Sequence, residues 1–513
     1  MMASRSRVLL KKRRVALPMA TLWLALILGA VPRPTYAASV AVVVNAATVL
    51  NTGATAGAKA GINTEYWWDN QANRVAGAAT LSSALSGMKM KVWRFPGGEK
   101  ADGHLWSTPP YTTAAPILAR IGSQDWPSND PVYWTPPGSL TGNWAHPVYT
   151  FDQFMADCQA AGCTPIVVVA YDGIYKPPYP GGVSLTFQQA LDTATAWVNY
   201  SKNKGYNVKY WEIGNETWNN TYMGADPGRT QQANDLITFS RAMKAVDPTI
   251  KIGTNANTQG DFNTLLSIAA ADTDFLVVHS YPAWSYRDFS SYAKASSLTT
   301  APDVNNAYNA LQGYPNDKNR IQIMITETGG ITFGIRGSWT QGDLGHALMT
   351  FELMARSVQD SRVQFTQVWN TRWINQNTSG IAWPNYPESE YDILKTDNSM
   401  TPQGLALNLI GNYTLSEMVS ATPQTGKVFA FASFDPVTNK LNVFLVNKNT
   451  TATATTVTLQ NYISPSTGLV NRLGGTDSTN TSPTLISKPS VSITGNQFSI
   501  TLDPVSVTVV QIG

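Results

Sequence analysis

Short apolar runs alternate with amphipathic segments through the middle of this chain. The runs are rich in β-branched and aromatic residues, and eight of them lie at residues 61–66, 90–95, 165–170, 207–212, 249–254, 274–279, 321–326 and 363–369. Segments with helix-like apolar spacing lie between the runs, at residues 151–162, 185–203, 230–246, 301–313 and 342–358. Alternating strands and helices are typical of parallel βα units, and eight such strands close a barrel. The pattern predicts an α/β fold, a (β/α)8 TIM barrel over residues 61–410.

The pattern changes beyond residue 411, where short runs of alternating apolar and polar residues replace the strand and helix rhythm. These runs lie at residues 428–434, 441–447, 455–459, 498–502 and 505–512. Turn residues such as Asp435-Pro436 and Gly495-Asn496 separate them, as is usual between antiparallel strands. Residues 411–513 are therefore predicted to form a C-terminal antiparallel β-sandwich domain. The Ser-, Thr- and Asn-rich stretch at residues 470–490 is predicted to be a loop.

Residues 1–37 have the composition of an export signal. A basic segment from Arg5 to Arg14 precedes an apolar run from Ala16 to Val31, and small residues follow around Ala37. The apolar run is short for a membrane span, and no later stretch reaches the length that a span needs. An uncleaved N-terminal anchor is the alternative. We expect a cleaved signal and a secreted protein, extracellular or periplasmic, in which residues 38–60 supply a strand and a linker.

Cleavage of the signal reverses the sign of the net charge. The full chain has 36 basic and 33 acidic residues, and residues 1–37 contain seven of the basic ones and none of the acidic ones. The mature chain would therefore have 29 basic and 33 acidic residues, a net charge of −4. Such a balance argues against nucleic acid or an anionic membrane as a partner. Only 13% of residues are charged, which suits an extracellular protein that handles neutral polymers.

The two cysteines, Cys158 and Cys163, lie at the end of a predicted helix. An oxidising compartment favours their pairing, but the small loop and the helix end between them leave a disulfide and two free thiols equally open. The four histidines are scattered with no spacing typical of a metal site. The sequence thus predicts neither a metal nor a cofactor.

Two carboxylates follow apolar runs directly. The run that ends at Ile213 passes through Gly214-Asn215 into Glu216, and the run that starts at Ile321 leads to Glu327, beyond which glycines follow. These runs would be strands four and seven of the barrel, whose strand ends build the active site. Hydrolysis of a glycosidic bond needs one carboxyl group on each side of the bond. We predict Glu216 and Glu327 to be catalytic, the alternative being that each merely pairs with a barrel arginine.

An Asn-Glu pair after strand four with a Glu after strand seven resembles the retaining glycoside hydrolases of the (β/α)8 clan, and within it family 51, the α-L-arabinofuranosidases. Three segments carry the resemblance, and they run from Gly61 to Glu65, from Arg94 to Asp102 and from Trp211 to Glu216. Two positions depart from the family: Thr328 stands where a Trp usually follows the nucleophile, and Asn63 stands where an aromatic residue is favoured. The resemblance also implies that the sandwich takes strands from both chain ends, so residues 38–60 are expected to join it.

The resemblance implies a role for each strand-end residue. Glu327 would be the nucleophile and Glu216 the general acid and base, with their carboxyl groups about 5 Å apart as in retaining enzymes. Asn215 would bind the sugar 2-hydroxyl, although an Asn also ends a strand well. Arg94 would keep Glu327 ionised by its charge.

Four further residues complete the predicted substrate site. His279 and Tyr281 resemble the clan's nucleophile-orienting pair, with Tyr281 the expected partner of Glu327, while a lone histidine is as often structural. Glu65 matches the position from which family 51 reaches the innermost sugar. Trp369 resembles that sugar's aromatic platform.

The connection at residues 97–148 is far longer than usual and rich in aromatic residues, which argues against disorder. Its aromatic residues are Trp106, Tyr111, Trp126, Tyr133, Trp134 and Trp144, with Tyr149 just past its end. We interpret this connection as one wall of a substrate cleft. The alternative is that these side chains pack the loop onto the barrel.

The sequence therefore predicts a secreted retaining glycoside hydrolase, α-L-arabinofuranosidase-like, that cleaves a cell-wall polysaccharide or oligosaccharide without a cofactor. An endo-β-glycanase of the cellulase or xylanase type is the first alternative, and an open groove rather than a pocket would favour it. A non-catalytic carbohydrate-binding protein on the same barrel is the second. The sequence specifies neither the linkage nor the oligomeric state.

Overall fold

The computed structural model describes residues 39–53, 59–66, 68–118, 147–176, 185–220, 224–334, 339, 341–372 and 388–513. The predicted export signal lies outside these residues. No helix within them is both long and apolar enough to cross a membrane.

Within the described ranges, eleven strands precede the C-terminal domain. In chain order they are β1 (Val40–Thr52), β2 (Ala60–Asn63), β3 (Val92–Phe95), β4 (His104–Leu105), β5 (Ile117–Leu118), β6 (Thr164–Val169), β7 (Tyr210–Ile213), β8 (Lys251–Asn255), β9 (Phe275–Ser280), β10 (Gln322–Thr328) and β11 (Val363–Val368). Strands β4 and β5 pair with each other, and β1 lies in the second sheet. The remaining eight close a parallel barrel in chain order, so the predicted (β/α)8 barrel is confirmed.

Nine α-helices are present among the described residues. They are α1 (Leu81–Gly87), α2 (Phe151–Ala161), α3 (Phe187–Asn203), α4 (Arg229–Val246), α5 (Gln259–Ala269), α6 (Phe289–Lys294), α7 (Ala301–Leu311), α8 (Leu344–Gln359) and α9 (Pro402–Tyr413). Helices α2, α3 and α5 each begin at a threonine whose hydroxyl accepts from the third helical residue, while that residue's side chain caps the threonine in return. This reciprocal cap fixes where each helix begins. Helix α5 has the cap and the apolar spacing, although it is not among the predicted helices.

The helices pack their apolar faces on the outside of the barrel. Trp197 of α3 contacts Trp211 of β7 edge to face, with ring centroids 5.7 Å apart. Helix α2 ends at Gly162, which has a left-handed φ of +62°. Cys158 and Cys163 flank this turn and form a disulfide across a Cα–Cα distance of 5.0 Å.

The long connection after β3 does not place its described aromatic residues in the cleft. Trp106 is fully buried, stacks on Trp197 and donates from Nε1 to the carbonyl of Thr193 at 3.0 Å. Tyr111 and Tyr149 also join the hydrophobic core. For these three residues the predicted cleft wall is wrong, because their rings pack into the hydrophobic core instead. Trp126, Tyr133, Trp134 and Trp144 lie outside the described residues.

The C-terminal domain is one nine-stranded sheet. Its own strands are β12 (Glu417–Thr422), β13 (Val428–Asp435), β14 (Lys440–Asn447), β15 (Thr453–Gln460), β16 (Thr467–Gly474), β17 (Thr484–Ser492), β18 (Gln497–Leu502) and β19 (Ser506–Ile512). Strand β1 completes the sheet by pairing with β12 antiparallel and with β15 parallel. Every other pairing is antiparallel. The predicted fold class, a barrel with a β-sandwich, is confirmed.

The predicted loop at residues 470–490 is wrong. Strands β16 and β17 occupy much of it and pair with each other at the edge of the sheet. Most residues of β17 are exposed or half-exposed, so its sequence lacks the alternation of apolar and polar residues that marks a half-buried strand.

Helix α8 joins the two domains. Fourteen of its sixteen residues are buried, which is expected of a helix with protein on both sides. Phe351 contacts the rings of Phe431 and Phe444 from the sheet at 6.2 and 5.7 Å. Helix α8 is therefore an element that both domains bury and that holds the sandwich against the barrel.

Substitution of Gly253 would test how tightly the interior of the barrel is packed. A Cβ at this position of β8 would lie 2.1 Å from Cε2 of Phe275. We expect Gly253→Ala to lower the free energy of unfolding by about 1–3 kcal/mol, because an overfilled core must distort. Thermal denaturation measures the change. The control is Gly260→Ala in α5, where the nearest atom is 3.7 Å away, and which should leave stability unchanged or raise it slightly. Equal melting temperatures for the two variants would contradict the packing described here.

Candidate active site

The two predicted carboxylates meet at the carboxyl end of the barrel. Glu216 follows β7 and Glu327 lies near the end of β10. One carboxylate oxygen of Glu216, one of Glu327 and one ring nitrogen of His279 all lie within 4.8 Å of one another. The two carboxyl groups are therefore close enough for the short separation of about 5 Å that is typical of retaining glycosidases.

Glu327 is held from both sides. Arg94 donates from Nη1 to Oε1 at 2.8 Å, and the Tyr281 hydroxyl donates to Oε2 at 2.7 Å. Burial, together with the charge of Glu327, raises the pKa of Tyr281 well above its ordinary value. Tyr281 therefore stays a hydrogen-bond donor. Arg94 and Tyr281 together stabilise a negative charge on Glu327.

Arg94 uses its whole guanidinium at the floor of the site. Its Nε and Nη2 donate to the two oxygens of Glu212 at 2.9 Å each, and Nη2 also donates to Asn215 at 2.8 Å. Its Nη1 donates to Asn63 at 3.0 Å in addition to Glu327. Although burial opposes its charge, the two carboxylates raise the pKa of Arg94 further. All five donors of this side chain are thus engaged.

Glu216 has a different environment from Glu327. Its side chain is one-quarter exposed, and its Oε1 lies 2.9 Å from Nδ1 of His279. Burial raises the pKa of Glu216, while the Asn219 side chain and the charge of Arg94 oppose that rise. Its backbone φ of +49° is unusual for a residue other than glycine. A carboxyl group whose proton is favoured by burial suits a general acid.

His279 lies between the two glutamates. Its Nδ1 is 2.9 Å from Glu216 and 3.6 Å from Glu327, and its Nε2 is 3.1 Å from the Thr326 hydroxyl. Burial lowers the pKa of His279, so its ring is neutral. The resemblance implied that His279 and Tyr281 together orient the nucleophile, Glu327. In the structure Tyr281 bonds to Glu327, whereas His279 lies nearer to Glu216.

A buried carboxyl pair supports the turn before Glu216. The Asn215 N–H donates to Oδ1 of Asp102 at 3.1 Å. Burial and the neighbouring Asp172 raise the pKa of Asp102 well above its usual range. Burial raises the pKa of Asp172 to about 6. Sequence reasoning missed this pair, although Asp172 follows β6 by three positions and the strand-end rule could have found it.

Two glycines bring the backbone close to the site. Gly97 has a φ of +130°, and a Cβ there would lie 2.6 Å from Oε2 of Glu65. A Cβ at Gly98 would lie 2.6 Å from Oε1 of Glu327 and equally near the ring of Trp369. Only glycine permits this approach.

Trp369 and Glu65, the two residues predicted to contact the innermost sugar, differ in whether they reach the cavity. Trp369 lines the cavity above Glu327 and is almost fully buried. Glu65 is fully buried behind Gly97 and accepts from Nδ2 of Asn370 at 3.2 Å. Glu65 does not line the cavity, and the sugar-binding roles of both residues stay predictions.

The site opens into a cavity of about 480 Å³, a size typical of small-ligand sites. Besides the predicted residues, it is lined by Glu99, Trp218, Asn219, Asn257, Pro282, Trp284, Asp303, Phe333 and Tyr391. Trp284 is half exposed at the rim. Sequence reasoning missed these residues because they lie beyond the strand ends, in the connections and, for Asp303, at the start of α7. A run of Trp and Asn after Glu216 was the signal available for Trp218 and Asn219.

Glu216, His279 and Glu327 also lie close enough together to ligate one metal ion. Both oxygens of Glu327 already accept hydrogen bonds, and the buried guanidinium that donates one of them would repel a second cation. The electrostatics at Glu327 therefore favour reaction with an electrophilic carbon.

No protein-family model matches the chain. A probable α-L-arabinofuranosidase C of Aspergillus clavatus is 24% identical over 202 residues, which are 36% of this chain and 33% of the relative. The chain thus spans about a third of the length of that curated relative.

Solved structures share the fold over nearly the whole chain. The α-L-arabinofuranosidase of Thermotoga maritima, in complex with arabinose, covers 92% of this chain and 99% of its own at a TM-score of 0.69 and 16% identity. The GH51 α-L-arabinofuranosidase of Thermotoga petrophila RKU-1 covers 93% and 100% at a TM-score of 0.68 and 16% identity. CelM2, a bifunctional glucanase-xylanase from a metagenome library, covers 92% and 99% at a TM-score of 0.61 and 16% identity. The predicted resemblance is therefore confirmed: the chain is similar to the family 51 α-L-arabinofuranosidases and shares their fold.

Proposed function

We propose that this protein is a retaining glycoside hydrolase of the α-L-arabinofuranosidase type. The observation that carries the proposal is the pair of glutamates within 4.8 Å in one cavity. One of them is stabilised as a carboxylate by Arg94 and Tyr281, and the pKa of the other is raised by burial. Double displacement requires one carboxylate as the nucleophile and one carboxylic acid as the proton donor, and these two environments suit those roles.

The first chemical step joins the sugar to the protein. An oxygen of Glu327 attacks the anomeric carbon, and the bond from that carbon to the leaving oxygen breaks while Glu216 gives its proton to that oxygen. Positive charge develops on the sugar ring and is stabilised by the Glu327 carboxylate. Asn215 lines the cavity beside Glu216 and would bind the 2-hydroxyl.

The second step releases the sugar. Glu216, now a carboxylate, takes a proton from water, and the water oxygen bonds to the anomeric carbon as the bond to Glu327 breaks. Two inversions at one carbon retain its configuration. Neutral His279, at 2.9 Å from Glu216, can hydrogen-bond to the acid in either protonation state.

The substrate class rests on the shape of the site and on the similar proteins. A cavity of about 480 Å³ is suited to one terminal sugar and its neighbour, as in enzymes that trim side chains of plant polysaccharides. Similarity to CelM2, described as a glucanase-xylanase, favours an endo-β-glycanase as the second candidate. Secretion, directed by residues 1–37, would bring the protein to such polymers.

Replacing either glutamate should abolish most of the activity. We expect Glu327→Gln to lower kcat/KM on an aryl α-L-arabinofuranoside by about 10⁴-fold or more, because an amide is no nucleophile, and Glu216→Gln by about 10²–10⁴-fold. Glu417→Gln, on β12 of the sandwich, is the matched control and should keep full activity. Proton NMR of the first anomer released should show retained configuration.

The same assay separates the alternatives. Internal cleavage of xylan or glucan by the wild type, without release of arabinose, would favour the endo-β-glycanase. Sugar binding without hydrolysis of any substrate in the panel would contradict an enzyme.

The pH dependence should report the proton on Glu216. Because Glu216 must be protonated to act as the acid, kcat/KM falls on the alkaline side as that proton is lost. The Asn219 side chain opposes the rise in the pKa of Glu216, so Asn219→Ala should raise this pKa and move the alkaline limb to higher pH. Asn220→Ala is the control, since its side chain accepts from the N–H of Asp226 instead. A limb that stays in place or moves to lower pH in Asn219→Ala would contradict this assignment of the acid.

A further inference from the structure

A second cavity, of about 720 Å³, lies where loops of the barrel meet loops of the sandwich. The barrel contributes the segment around Arg287 and Lys294, together with Trp339, and the sandwich contributes Lys427 and the turns at residues 448–451 and 478–479. Nothing in the mechanism above uses this cavity. Its size is within the range of ligand sites.

The cavity gathers cations that lack ion-pair partners. Arg287, Lys294 and Lys427 are exposed, and none of them pairs with a carboxylate of the described residues. Asp288 is the acidic residue that lines the cavity, and it also caps α6 by accepting from the N–H of Ser291 at 2.7 Å. The buried Lys448 is offset by Glu352 at 3.6 Å. The open face of the cavity is therefore positive.

Several cations elsewhere on the surface are paired with carboxylates. Arg241 binds Asp272 at 3.0 Å, Lys244 binds Asp274 at 2.7 Å, and Arg362 binds Asp360 at 2.6 Å. The mature chain is expected to be acidic overall. Three cations without an ion-pair partner among the described residues surround one concave site, and this concentration of positive charge fits an anionic ligand.

The remaining lining groups fit a sugar. Trp339 donates from Nε1 to Asp343 at 2.7 Å and packs on the ring of His346 with centroids 4.1 Å apart, so the indole is fixed in place. A fixed indole offers a flat apolar face with little loss of entropy on binding. The threonine and serine residues of the sandwich turns offer hydroxyls that can bond to a polyhydroxylated ligand.

The second cavity adjoins the active site along the chain. Trp284 lines the active-site cavity and Arg287 lines the second one. Three residues span at most about 11 Å even when fully extended. Likewise, Phe333 lines the active-site cavity and Trp339, six residues later, lines the second one. One glycan chain could therefore occupy both.

We propose that this second cavity binds a uronic-acid-bearing segment of a glycan, with its carboxylate on Arg287, Lys294 and Lys427. Guanidinium and ammonium groups are the usual partners of carboxylates. The binding site stands on its own residues, while its role in choosing acidic polysaccharides as substrates rests on the proposed function. It would hold an acidic backbone while the neighbouring cavity receives a neutral side chain.

The test uses the full chain with the triple variant Arg287→Ala, Lys294→Ala and Lys427→Ala. Its control is the triple variant Lys209→Ala, Lys318→Ala and Lys440→Ala, which removes the same charge from exposed positions away from the cavity. Calorimetry measures binding of an α-1,4-linked oligogalacturonate. We expect wild type and control to bind it, the cavity variant to bind about tenfold or more weakly, and wild-type binding to weaken as salt rises from about 50 to 500 mM.

The outcomes distinguish this proposal from the proposed function. Hydrolysis of the aryl arabinofuranoside should be unchanged in both triple variants, because none of the six residues lines the active site. Equal oligogalacturonate binding by wild type and the cavity variant would overturn the proposal, as would equal affinity of the cavity for a sulfated glucan, which would indicate a general anion site. Binding that is lost in the cavity variant, from a protein that hydrolyses no glycoside, would refute the proposed function and support the binding site.

Discussion

One buried guanidinium organises the floor of this barrel. Arg94 of β3 donates to side chains from β2, β7 and β10 and from the turn after β7, and each of its five donors has a partner. A buried charge is tolerated only when it is paired and its hydrogen bonds are satisfied. Glu212 takes two of those bonds and Glu327 takes one. The ion pair with Glu212 therefore fixes the arginine, and the fixed arginine sets the position and charge of the carboxylate that faces the cavity.

The same arrangement explains why two chemically identical side chains behave differently. Glu327 sits against a cation and a phenol, whereas Glu216 lies one-quarter exposed beside a neutral imidazole. Asn215 links the two environments, since its amide oxygen accepts from Arg94 and its N–H donates to Asp102. Burial and the neighbouring Asp172 raise the pKa of Asp102. The turn before Glu216 is thus anchored on one side by Arg94 and on the other by the buried Asp102.

The sequence was sufficient to predict those parts of the molecule that follow a regular pattern. Strands of the barrel alternate with helices, and polar residues at strand ends must face the mouth, so Glu216, Glu327 and Arg94 could be placed together before any coordinates. Trp106 could not be placed, because an aromatic residue in a long loop can face either the cleft or the helices, and the choice depends on packing that only the folded chain defines. Strand β17 was missed because an exposed edge strand carries no hydrophobic alternation. The partners of His279 depended on side-chain geometry, which spacing does not encode.

The close approach of Gly98 limits how this site can change. With the main chain seated against both Glu327 and Trp369, no side chain fits at that position, and this wall of the cavity cannot be remodelled by substitution. Trp284, Phe333 and Tyr391 also line the cavity, but they lie beyond the barrel strands, in connections that tolerate change. Natural divergence or laboratory evolution of ligand range in this scaffold would therefore proceed through those connections, while the backbone at Gly98 stays an invariant part of the cavity.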